Sequence, residues 1–103
     1  MKRPTIIIGR KEHSIQNLTG RSWRLLGEFI DSAPEYSDPD FLEKHAAFIA
    51  QFYDGVSVDD VLDMPLEEIL PASAEIRKFI MESLTAKLEK IEKNSEEDKA
   101  QSS

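Results

Sequence analysis

The feature that most constrains this chain is the run from Pro71 to Lys93, which holds no further proline and no glycine. Apolar residues recur in it at Ile76, Phe79, Ile80, Leu84, Leu88 and Ile91, while Arg77, Lys78, Glu82, Glu89 and Lys90 fall between them. Three-and-four spacing of this kind lines one face of an α-helix and predicts the longest helix of the chain. Pro71 suits a first helical position, where a missing N–H costs nothing. A helix of this length cannot bury its own stripe, so the preceding segments are expected to pack against it, with any excess length left for a partner.

Those segments read as follows. Thr5 to Ile8 is a β-branched run, Gly9-Arg10-Lys11 follows, and Glu12 to Ile15 mixes polar and apolar residues, the pattern of a small hairpin with Gly9 in its turn. Two strands alone are marginal in water, so the hairpin must lie on a helix or pair with another chain. Asn17 or Thr19 caps a helix with Trp23, Leu26 and Ile30 on one line and Leu25 and Phe29 on the next. Gly27 inside it weakens the helix and marks a possible close crossing of another backbone. Asp31 to Pro39 is a loop carrying Tyr36.

Asp38-Pro39-Asp40 is a helix start, with an N-cap carboxylate and a proline in the first helical position. That helix carries Phe41, Leu42, Ala46, Phe48, Ile49, Phe52 and Tyr53 before Asp54-Gly55 stops it. Ser57 to Asp60 opens a short helix with a capping-box pattern, ended by Met64-Pro65. Pro65 begins one more turn, Leu66 to Leu70, before Pro71. Two prolines six residues apart predict successive angled pieces and not one rod. The expected fold is α+β and mainly α: a small N-terminal hairpin followed by about four helices, the last long and amphipathic. Residues 1–93 form the single domain, and residues 94–103, polar and charged, form a disordered tail.

Charge is distributed unevenly. Within the total of −7, residues 1–24 carry six basic side chains against Glu12, a balance of +5. Residues 31–75 carry twelve acidic side chains against Lys44 alone, a balance of −11. Such a middle repels a phosphate backbone, so nucleic acid is not an expected partner. No run approaches the roughly eighteen apolar residues of a membrane span, and Ile6 to Ile8 after Lys2-Arg3 falls short of a signal peptide. With no cysteine in the chain, a soluble, unexported, cytoplasmic protein is the expectation.

Catalytic and metal chemistry find little footing. His13 and His45 have no second histidine three or four residues away, and Asp59, Asp60 and Asp63 lack the alternating ligands and central glycine of a calcium loop. The serines sit in no nucleophile elbow, and the four glycines are too dispersed for a phosphate loop. No enzyme activity, metal or cofactor is expected. Large aromatics are favoured interface anchors as well as core residues. Trp23, Tyr36, Phe41, Phe48, Phe52 and Tyr53 are therefore the candidate partner-binding residues, with core packing the competing role for most and loop anchoring for Tyr36.

The order of elements carries a resemblance. A hairpin, "PTIIIGRKEHSIQ", leads to a helix, "LTGRSWRLLGEFID". An aromatic helix, the segment "GVSVDDVLDMPLEEILPA", a long amphipathic helix and a charged tail follow. Over roughly residues 4–93 this resembles the small tail assembly chaperones of long-tailed bacteriophages, most closely in "VSVDDVLDMPLEEILP". The resemblance implies a chaperone that binds and solubilises the tape measure protein and recruits tail tube subunits. It implies a homo-oligomer working in the bacterial host cytoplasm and left out of the mature virion. It also implies a longer form made by ribosomal frameshift, and Glu92-Lys93-Asn94 can be encoded by GAA AAA AAC, which contains the slippery heptamer A AAA AAC. A second reading from charge alone is a small acidic regulatory protein that inhibits a basic, nucleic-acid-binding partner.

Overall fold

A computed structural model describes residues 2–88 in full and carries the helical backbone on to Ser102. Strand β1 (Thr5–Ile8) pairs antiparallel with β2 (Lys11–Ser14), Ile6 opposite His13 and Ile8 opposite Lys11. The loop is the two residues Gly9 and Arg10, with Gly9 at φ +64 and Arg10 outside the left-handed region. A glycine first and an ordinary residue second is the pattern of a type II′ turn, whose twist matches that of the strands. The hairpin lies on the body of its own chain. Ile6 and Ile15 enter the core, the Ile15 N–H donates to the Pro4 carbonyl at 3.1 Å, and the Gln16 N–H donates to the Phe52 carbonyl at 2.9 Å. Arg3 adds a clasp, donating to the Ile15 carbonyl while its guanidinium lies 5.8 Å from the centre of the Phe79 ring. The outer edge of β1 has no strand neighbour, and Ile7 on it is exposed.

Helix α1 (Gly20–Asp31) starts after Thr19, whose N–H donates to Ser22 Oγ at 3.0 Å, so Thr19 and not Asn17 is the cap. Ser22, Leu26 and Phe29 face the core, whereas Trp23 and Ile30 are turned out of it. Gly27 meets nothing: a methyl group added there has no neighbour within 4 Å. No described backbone crosses at Gly27, contrary to the close approach considered from the sequence. Replacing it with alanine is expected to raise stability by about 0.5–1 kcal/mol in chemical denaturation, because the helical backbone is kept and the unfolded chain loses freedom.

Helix α2 (Phe41–Ala50) is shorter than its apolar content predicts. Asp38 caps the turn before it, accepting from the Asp40 N–H at 2.8 Å and from Lys44. Phe52 and Tyr53 follow the helix in a chain of turns that Gly55, at φ +75, closes. Both are buried, the Phe52 N–H donating to the Ile49 carbonyl and the Phe52 carbonyl accepting from Gln16. Helix α3 (Val58–Leu62) carries the expected box: the Asp60 N–H donates to Ser57 Oγ and the Ser57 N–H to Asp60 Oδ2.

Helix α4 (Leu66–Ser102) corrects the reading of the two prolines. Pro65 precedes the first turn, the Glu68 N–H donates to its carbonyl, and Pro71 sits inside one continuous helix instead of starting a second. A proline this near an N-terminus removes a single internal hydrogen bond, and burial of Ile69 and Ala72 on either side holds the rod together. Residues 94–103, expected as a disordered tail, lie outside the fully described residues. The core fills the space between α2 and α4, with Ile49, Val61 and Ile76 fully enclosed. Among the described residues of α4, Ile80 is the last that is buried, and Met81, Leu84 and Leu88 beyond it are exposed.

Candidate functional site

A mainly apolar concavity is built where the loop after α1 meets the first turns of α2 and α4. It encloses about 500 Å³ and is lined by Phe29, Ala33, Pro34, Tyr36, Phe41, His45, Leu70, Pro71, Ala74 and Arg77. Asp38 fixes the loop by bonding forward to Asp40 and Lys44, which brings Tyr36 over Phe41 with ring centres 4.8 Å apart. The Lys44 hydrogen bond, more than any other influence, holds the Asp38 carboxyl below its usual range. Phe41 in turn meets His45 edge-on at 4.8 Å, and His45 meets Phe29 at 5.1 Å. The Arg77 guanidinium lies 5.8 Å from the Phe29 ring centre, and its Nε donates to the Ser73 carbonyl.

Composition makes this groove unusual in its own surroundings. Eight of its ten lining residues come from the segment 31–75 that holds twelve acids, yet not one lining residue is acidic. Arg77, its only full charge, has no carboxylate partner among the described residues. At the rim Tyr36 is 85 % exposed. A few convergent polar groups in an apolar concavity are the usual form of a binding site, here suited to an apolar side chain with a nearby carboxylate.

Behind the groove, its lining residue His45 forms a buried polar pair with Ser73. His45 Nδ1 and Ser73 Oγ lie 3.0 Å apart, 28 residues apart in sequence. The pair has the shape of a nucleophile and its base, but Ser73 is 0 % exposed, and a hydroxyl without accessible surface cannot attack a substrate. Its role is to satisfy the imidazole. Burial, helped by the charge of Arg77, pushes the His45 pKa down from 6.5. The unfolded chain therefore takes up a proton below about pH 6.5 that the folded chain still refuses, and stability falls as pH drops from there toward the depressed folded value. Denaturation midpoints measured from pH 7 to pH 5 are expected to decline in the native chain and to stay flatter in His45→Gln.

The six aromatic candidates separate into two groups. Phe48, Phe52 and Tyr53 are 2–3 % exposed, so they are core residues and cannot meet a partner of the folded subunit. Phe48 stacks on Phe29 at 4.3 Å and meets Phe52 edge-on at 5.1 Å. Burial, with the charge of Glu75 adding to it, raises the Tyr53 pKa to about 12. Tyr36 and Phe41 meet in the groove. Trp23, 45 % exposed, lies elsewhere, sharing a smaller groove of about 340 Å³ with Leu18, Ile80 and Leu84. Sequence reasoning missed His45 and Arg77 as groove residues, and Ser73 as the buried partner of His45, since nothing local marks a pairing of α2 with α4.

No family model, curated protein or solved structure matches the chain. No described helix is long and apolar enough to cross a membrane.

Proposed function

We propose that this protein is an assembly chaperone that binds an apolar, helical segment of a longer protein and keeps it in solution. The observation that carries the reading is the acid-free aromatic groove of Tyr36, Phe41, Phe29 and Arg77 set in a strongly acidic surface. Exposed aromatics in a pocket supply most of the binding energy of a protein interface, while the charge around them keeps the complex soluble. Together with the resemblance of residues 4–93 to phage tail assembly chaperones, this reading makes the partner a tape measure protein. Recruitment of tail tube subunits would follow in the host cytoplasm.

The test is co-expression of the full chain with the tape measure protein encoded in the same genome. The expected result is a soluble partner with the native chain and an insoluble one with the Tyr36→Ala/Phe41→Ala variant. A partner equally soluble with and without the chain overturns the proposal.

A further inference from the structure

The exposed half of α4 carries a second pattern, distinct from the core stripe. Leu70, Ala74, Arg77, Met81, Leu84 and Leu88 are spaced alternately by four and three residues, and the sequence places Ile91 three further on. That is the seam of a coiled coil, with Met81 and Leu88 at a positions and Leu84 and Ile91 at d positions. At about 100° per residue, this seam lies roughly a quarter turn from the Ile76–Ile80 face that packs on the core. Met81, Leu84 and Leu88 are 49 %, 56 % and 54 % exposed, so the subunit leaves the seam uncovered where it is apolar.

We propose that a second copy of this chain covers the seam, the two α4 helices forming a parallel two-stranded coiled coil from Met81 onward. Charge fixes the orientation. Lys87 falls at g and Glu92 at the following e, five residues on, which a parallel pair sets against each other across both sides of the seam. An antiparallel pair with the same apolar layers sets Lys87 against Lys87 of the other copy. Arg77, at the d position before Met81, would oppose its own counterpart, so the helices part there. The aromatic groove, which Leu70, Ala74 and Arg77 help to line, is thereby left open in each subunit. The dimer does not depend on the chaperone reading.

Sedimentation of the full chain over a range of concentrations tests it, with Leu84→Lys/Leu88→Lys as the comparison. Neither residue is part of the core, so the variant is expected to keep its helical circular dichroism. The expected outcome is a concentration-dependent dimer for the native chain and a monomer for the variant. A native chain that stays monomeric at millimolar concentration, or a dimer that the two lysines leave intact, overturns the proposal. Orientation is read separately. The chain has no cysteine, so Leu88→Cys introduces one thiol, at a layer where a parallel pair brings the two copies within disulfide reach. Ready oxidation to a covalent dimer is expected, and a dimer that resists it overturns the parallel arrangement.

Discussion

Replacing Ile76 by alanine is expected to destabilise the protein by about 2–5 kcal/mol, a large part of the roughly 5–15 kcal/mol available to a domain of this size. Ile76 has no exposed surface and lies on the face of α4 that meets the core. Removing three carbons there loses their transfer energy and leaves a cavity that rigid neighbours cannot close. Leu88→Ala on the same helix removes as much hydrocarbon, yet in dilute protein it is expected to change stability by less than about 0.5 kcal/mol. Paired chemical denaturation of the two variants checks both. Equal losses would mean that the core reaches past Ile80.

The second large effect separates fold from site within the aromatic set. Phe48→Ala should cost about 3–5 kcal/mol, because its ring is buried between Phe29 and Phe52. Tyr36→Ala should leave the denaturation midpoint nearly unchanged, since the side chain is almost fully solvated. If the groove binds the partner, the same change weakens binding by about 2 kcal/mol or more, near thirtyfold. Titration calorimetry against a peptide of the partner helix measures the second number. Binding unchanged in Tyr36→Ala would remove the groove from the interface.

What the sequence made legible was local chemistry. The hairpin and the Ser57 cap each depend on residues within a few positions of one another, and each is present, as is Thr19, one of the two caps expected for α1. Gly55 does not stop α2, which ends at Ala50, but closes the turns after it. Pro71 misled because its cost depends on its place in the helix. Read as a start, it split the turn Leu66 to Leu70 from the helix that in fact runs through Pro71 without a break. Apolar residues run on at helical spacing from Ile76 to Leu88, so that spacing, read as one stripe, could not show that burial stops after Ile80 among the described residues and that Leu84 and Leu88 belong to the uncovered seam. The groove was half legible. Tyr36 stood out as an aromatic in a polar loop, but His45, held from behind by Ser73, and Arg77 belong to the site only through the packing of α2 on α4.

The open edge of β1 bears on how this protein behaves in a tube. Next to Ile7 and Gly9 the surface is lined by Asp60, Asp63 and Glu68, three carboxylates standing beside a strand that could accept another strand. At neutral pH they repel a second acidic copy, and the net charge of −7 does the same at longer range. Near the isoelectric point of about 4.8 the long-range barrier of net charge fades, and the bare edge becomes a template for chain-to-chain pairing. Solutions of this protein should cloud on mild acidification well before the strands themselves come apart.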